Sequence, residues 1–143
     1  DAVETTEAQT RAAAESGHGQ PIDRQDAPEE DLVDLVALYG SIPDVVYRAR
    51  ISENDHRNSG GDELWNAAAI LRQERAWVHR YGRRDPEDQL DPVFGARSAR
   101  EWFYGAASGL DPDVERAVMN GTPLLEVYVW TSPRRIEARV IEE

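Results

Sequence analysis

A single α+β domain, with about four helices packed on a small, largely antiparallel sheet that ends in a C-terminal hairpin, is the fold this chain predicts. Three observations carry it. Apolar residues recur at helical spacing in several separate stretches, and two stretches near the C-terminus alternate like strands across a short turn. The length, 143 residues, suits one domain with one core. Helices and strands come in blocks rather than in strict alternation, which favours α+β over a parallel α/β sheet.

Residues 1–27 contain only Val3 and Ile22 as apolar side chains larger than alanine, too few for a packed face. They are expected to form a flexible acidic arm, helical over residues 4–16 only when docked, and the α+β domain to span residues 28–143. Through Asp31 the chain carries nine acids and two arginines, a charge of -7; the remainder carries nineteen acids and fourteen arginines, a charge of -5.

Pro28 suits a first helical position and is followed by acids that favour the positive helix end. Leu32, Leu35, Val36 and Tyr39 then recur at helical spacing until Gly40. Val45, Tyr47, Ala49 and Ile51 alternate with Val46, Arg48 and Arg50, which predicts an edge or half-buried strand. Residues 52–61 are a polar loop. The longest helix is expected over residues 62–81, with Leu64, Ala67, Ile70, Leu71, Trp77, Val78 and Tyr81 on one face and Gly82 closing it. A second polar loop covers residues 83–95. Ser98 and Glu101 have capping-box spacing and open a helix through Trp102, Phe103 and Tyr104 that ends near Gly109. Asp111 and Pro112 start a short helix that Asn120 and Gly121 stop. Strands over residues 124–130 and 135–141 close the chain, joined through Thr131, Ser132, Pro133 and Arg134.

Composition narrows the chemistry. All sixteen basic residues are arginine, and there is no lysine or cysteine. Schiff-base catalysis, a P-loop, thiolate nucleophiles, disulfides and thiolate metal sites are therefore excluded. A net charge of -12 opposes nucleic acid and anionic membranes, and no apolar run is long enough to cross a bilayer. The expected partner is a protein with a basic, arginine- or lysine-rich surface. The chain opens on Asp1 rather than methionine, which leaves open a removed leader and the compartment, with a cytoplasmic setting as the default expectation.

No metal or cofactor is expected. His18, His56 and His79 never share a face, and the 85–91 loop lacks the glycine an EF-hand requires, with Leu90 in that place. His79 is read as a helix-end cation, and His56, between Asp55 and Arg57, as a loop histidine capable of acting as a base. Asp85, Glu87, Asp88 and Asp91 are read as a solvated acidic loop that would meet arginines on a partner. Trp102, Phe103 and Tyr104 are consecutive on a helix, so one of them must leave the core stripe. The strand at residues 124–130 is apolar on both sides, with Tyr128 and Trp130 on the second; that side is either covered by a helix or offered to a partner. Trp102, Tyr104, Tyr128 and Trp130 are the candidate anchors.

The segment Pro43, Asp44, Val45, Val46, Tyr47, Arg48 resembles the strand that opens ADP-ribosyltransferase domains of bacterial toxins, in which an arginine after an aromatic residue helps hold NAD. Trp130, Thr131 and Ser132 resemble that family's later serine-containing strand. The resemblance implies an NAD contact for Arg48. The family's catalytic glutamate comes well downstream of the serine, whereas eleven residues follow Ser132 here, and Glu137, Glu142 and Glu143 stand close to it. The expected function is a non-enzymatic protein-protein interaction subunit, such as an inhibitor, an immunity-type partner or an accessory subunit. The alternatives are a small enzyme, ADP-ribosyltransferase-like or a hydrolase using His56, and a structural component of a virion or secretion assembly.

Overall fold

A computed structural model of the chain describes residues 22–23 and 29–143. The expected arm and its docked helix lie outside the described residues, apart from a two-residue strand. The elements are β1 (Ile22–Asp23), α1 (Glu29–Tyr39), β2 (Val45–Arg50), a 3-10 turn (Glu53–His56), α2 (Ala67–His79), α3 (Arg97–Ala107), α4 (Pro112–Asn120), β3 (Leu124–Thr131) and β4 (Arg134–Glu142). The strands lie in the order β1-β2-β3-β4 and pair antiparallel throughout. The fold is the expected α+β arrangement, four helices on a small antiparallel sheet with a C-terminal hairpin.

β3 lies between β2 and β4, and its two apolar faces have different covers. Leu125, Val127 and Val129 join Tyr47, Ala49, Ile136 and Ala138 against Ile70, Leu71, Phe103, Val114 and Val118 of α2, α3 and α4. On the opposite face Val46, Tyr128 and Trp130 pack under Leu35 of α1. The Tyr39 ring sits 5.3 Å from Tyr128 and 5.8 Å from Trp130, and Arg135 Nη1 donates to the Tyr39 carbonyl at 2.6 Å. The sheet is thus a middle layer, which is why a strand apolar on both sides is stable here. Tyr128 is 0% and Trp130 6% exposed. This corrects their expected role as anchors, because burial under α1 puts them out of a partner's reach.

Two helix starts differ from the expected ones. α2 begins after Asn66, whose side chain accepts from the Ala69 N–H at 2.8 Å, rather than at Asp62. The residues before it are satisfied elsewhere: Leu64 N–H donates to the His56 carbonyl at 2.8 Å, and the backbones of Arg57 and Glu63 pair in an isolated antiparallel β-bridge. α3 begins after Ala96, with no side-chain cap, so Ser98 falls inside the first turn. Arg100 Nη1 holds the Phe94 and Gly95 carbonyls, each at 3.0 Å, which bends the chain into the helix ahead of the serine. α4 follows its sequence signature: the Asp111 side chain accepts from Asp113 N–H at 2.8 Å and Pro112 opens the helix.

The 83–95 loop is not a solvated excursion. Gln89 exchanges two hydrogen bonds with the Arg48 backbone, both at 2.8 Å, and Asp88 Oδ1 accepts from Arg50 N–H at 2.7 Å. With β1 paired to Val45 and Val46, the loop completes the cover on the outer edge of β2. Phe94 at its end is buried 5.3 Å from Trp102 and 4.8 Å from Phe103.

Candidate functional site

A polar cluster within the core locks this loop to α2. Arg75 is fully buried and donates twice to its neighbour Glu74, Nε to Oε1 and Nη2 to Oε2, each at 2.5 Å. Its Nη1 donates to Asp91 Oδ1 at 2.7 Å and to the Gln89 carbonyl at 3.0 Å, and its Cζ lies 4.0 Å from the Tyr47 ring centroid. His79 Nε2 donates to the same Asp91 oxygen at 2.6 Å, while Oδ2 accepts from the Val93 and Phe94 amides at 2.8 and 2.6 Å. Burial alone would raise the Asp91 carboxyl, but the His79 hydrogen bond, the Arg75 charge and the Phe94 amide outweigh it and hold the group well below the usual carboxylate range. His79 lies in the last turn of α2, as expected, and there it is a buried partner of Asp91.

An acidic pocket of about 310 Å³ opens beside this cluster, lined in part by Asp55, Asp85, Asp88, Trp77, Arg83 and Arg84. Asp55 Oδ2 accepts from the Ser52 N–H at 2.8 Å and its hydroxyl at 3.2 Å. Asp88 uses both oxygens on backbone amides, those of Arg50 and Asp85, each at 2.7 Å. Burial, with Asp88 and Asp85 nearby, pushes Asp55 up to about 7, and burial likewise pushes Asp88 up to about 6. Among the described residues no three His, Asp or Glu side chains are placed to hold a metal ion.

The expected acidic recognition loop is thereby corrected for two of its four members. Asp88 and Asp91 are buried and spent on internal donors, because a loop laid along a strand edge needs acceptors for that edge's amides. Asp85 is half-buried, and exposed Glu87 accepts from Arg50 Nη2 at 3.0 Å. His56 Nε2 is 3.1 Å from the Gly121 carbonyl, on the wall of another pocket with Glu53 and Arg57. Arg48 pairs with Glu126 across the sheet at 3.4 Å. Ser132 lies in the β3–β4 turn, six residues beyond Glu126, or roughly 20 Å at strand spacing, so Arg48 and the serine of the transferase resemblance are not brought together.

The α2–α3 face is different: it gathers exposed residues of the types that bind. Trp65, just ahead of α2, is 76% exposed. Its neighbour Asn66 donates to the Tyr104 hydroxyl at 3.3 Å, and Arg72 stacks on the Tyr104 ring with Cζ 4.6 Å from the centroid. Tyr104, 36% exposed, is the member of the aromatic triplet that leaves the core; Phe103 is buried and Trp102 half-buried against Phe94. Further along, Arg72, Arg80, Tyr81, Arg97, Arg100 and Glu101 line a pocket of about 210 Å³.

Of the four expected anchors, then, Tyr104 is exposed and Trp102 half-exposed. Trp65 was hidden in the sequence because it lies inside an apolar stretch of helical period. The one available signal was Asn66 before three alanines, a cap that places Trp65 outside the helix. No protein-family model, curated protein or solved structure matches the chain. Among the described residues no helix is long and apolar enough to cross a membrane.

Proposed function

We propose that this chain is a non-enzymatic interaction subunit, of the inhibitor, immunity or accessory type, which takes a protein partner on the α2–α3 face with Trp65 and Tyr104 as anchors. The exposure of the Trp65 indole carries the reading, since tryptophan, tyrosine and arginine dominate binding hot spots; Arg72 stacks on Tyr104, and the Asn66 that follows Trp65 in the chain bonds the Tyr104 hydroxyl. Support also comes from several of the side chains able to do chemistry. Asp88, Asp91 and His79 are committed to holding the fold, and Arg48 and His56 each have an internal partner. The basic partner expected from the overall charge loses the buried half of the 85–91 loop as its contact. On the arginine-bearing face the complementary surface is apolar with acidic groups.

Affinity purification of the tagged chain, with Trp65→Ser in parallel, tests this. The wild type is expected to retain a stoichiometric partner, and the variant to bind it at least about tenfold more weakly. Thermal unfolding of the variant is expected to stay close to wild type, because a side chain this exposed contributes little to stability. Recovery of the chain alone, or equal capture by the variant, rejects the reading.

A further inference from the structure

The pocket between the C-terminal end of α2 and the N-terminal end of α3 concentrates positive charge in a chain whose net charge is -12. Four of its nine lining residues are arginines, Arg72, Arg80, Arg97 and Arg100, against one carboxylate, Glu101, a local balance of +3. Glu101 satisfies none of them closely: its oxygens are 3.9 Å from Arg72 Nη1 and 3.9 Å from Arg97 Nε. Among the described residues Arg80 and Arg100 have no carboxylate within ion-pair distance. Arg80 rests over the Tyr81 ring at 5.3 Å, and Arg100 meets two backbone carbonyls.

Arg100 is the telling residue. It is 6% exposed, and a cation so buried normally faces a carboxylate. Instead cations face it across the pocket: besides burial, the charges of Arg80 and Arg97 press its guanidinium below the ordinary arginine range, and Tyr81 and the Asp91 carboxylate offset them only in part. The first turn of α3 adds to the same field, for it has no acidic residue and no side-chain cap at Ala96. Crowded guanidinium groups around an open cavity, with Gln73, Ser59 and Tyr81 as further polar lining, are an arrangement an oxyanion relieves, since arginine forks match its oxygens two at a time.

We infer that this pocket binds a phosphate-class oxyanion, a phosphate or diphosphate group, held by Arg80, Arg97 and Arg100 and flanked by Tyr81. Arg72 belongs both to this pocket and to the anchor face, but Trp65 and Tyr104 do not line the pocket, and the inference does not depend on a protein partner.

Pyrophosphate is the probe. Any salt screens the self-repulsion of an acidic chain, so the comparison is with sodium chloride at equal ionic strength, read by calorimetric titration and by thermal unfolding of the full chain. Wild type is expected to show one saturable site for pyrophosphate and a melting temperature above that in matched chloride. Arg80→Gln/Arg97→Gln, both exposed positions, is expected to bind at least about tenfold more weakly and to lose the extra stabilisation. Glu101→Gln, which removes the competing carboxylate from the rim, is expected to bind several-fold more tightly. Inorganic phosphate in the same titration separates a single phosphate group from a diphosphate as the preferred form. The inference is overturned if pyrophosphate and matched chloride act alike on wild type, or if the double variant and Glu101→Gln both titrate as wild type does.

Discussion

Asp91→Ala is expected to cost about 3–5 kcal/mol of unfolding free energy, the cost of breaking a buried charged pair from one side. The single carboxylate accepts from Arg75, His79 and the Val93 and Phe94 amides. Alanine would leave the imidazole donor and two amides without acceptors in a region water does not reach, and would remove one of the two carboxylates facing Arg75. A domain of this size has roughly 5–15 kcal/mol to lose. Urea unfolding with an unchanged m-value measures the effect. Asp91→Asn, which keeps an acceptor for the amides, is expected to fall between. A loss for Asp91→Ala within about 1 kcal/mol of wild type would mean that the cluster does not hold the 83–95 loop. The loop ends in Phe94 and Gly95, whose carbonyls hold Arg100, so the same variant is expected to loosen the position of Arg100.

Asp55 makes the stability of the fold depend on pH. Its folded-state pKa of about 7 lies above the ordinary value of 3.8, because the carboxyl is buried with Asp88 and Asp85 nearby. The folded protein therefore holds this proton more tightly than the unfolded chain does. The resulting stabilisation is fully present below about pH 4 and is lost as pH rises through about 7. Asp55→Asn is expected to flatten the decline between pH 5 and 8 and to be more stable than wild type at pH 8, by on the order of 2–4 kcal/mol. The asparagine carbonyl can still accept from Ser52, so the cap survives. Asp88, at about 6, leaves a residual slope at lower pH. It is the poorer site for the same substitution, because both its oxygens already accept backbone amides. Thermal unfolding across this pH range decides the matter; parallel profiles for wild type and variant would remove Asp55 as the source.

Both effects belong to residues that read in the sequence as a polar loop, and the reason lies in what periodicity records. A helical stripe or a strand alternation is local, so α1, β2, α4 and the β3–β4 hairpin were legible from a dozen residues each, with Asp111 and Pro112 marking a start and Gly40 and Gly121 marking stops. A carboxylate in a loop carries no such mark. Asp91 is buried because Arg75 and His79, sixteen and twelve residues earlier, point at it from α2. Asp88 is buried because the edge of β2, thirty-eight residues before it at Arg50, needs an acceptor.

The candidate sites divide in the same way. That one of Trp102, Phe103 and Tyr104 had to leave the core followed from the 100° step of a helix, but that it is Tyr104 depended on Phe94 filling the space beside the other two. The doubly apolar β3 was visible, yet whether α1 or a partner covers Tyr128 and Trp130 was a question of how the chain folds back on itself. The sequence by itself determined the element order, the α+β class and the limits that lysine- and cysteine-free composition places on chemistry, because those depend on near neighbours or on counting. Only the tertiary structure decided that half of the acidic loop is interior, that Trp65 stands clear of α2, and that Arg80 and Arg97, seventeen residues apart, share one pocket with buried Arg100. Each of these is set by the desolvation and pairing of groups distant along the chain, which no local pattern encodes.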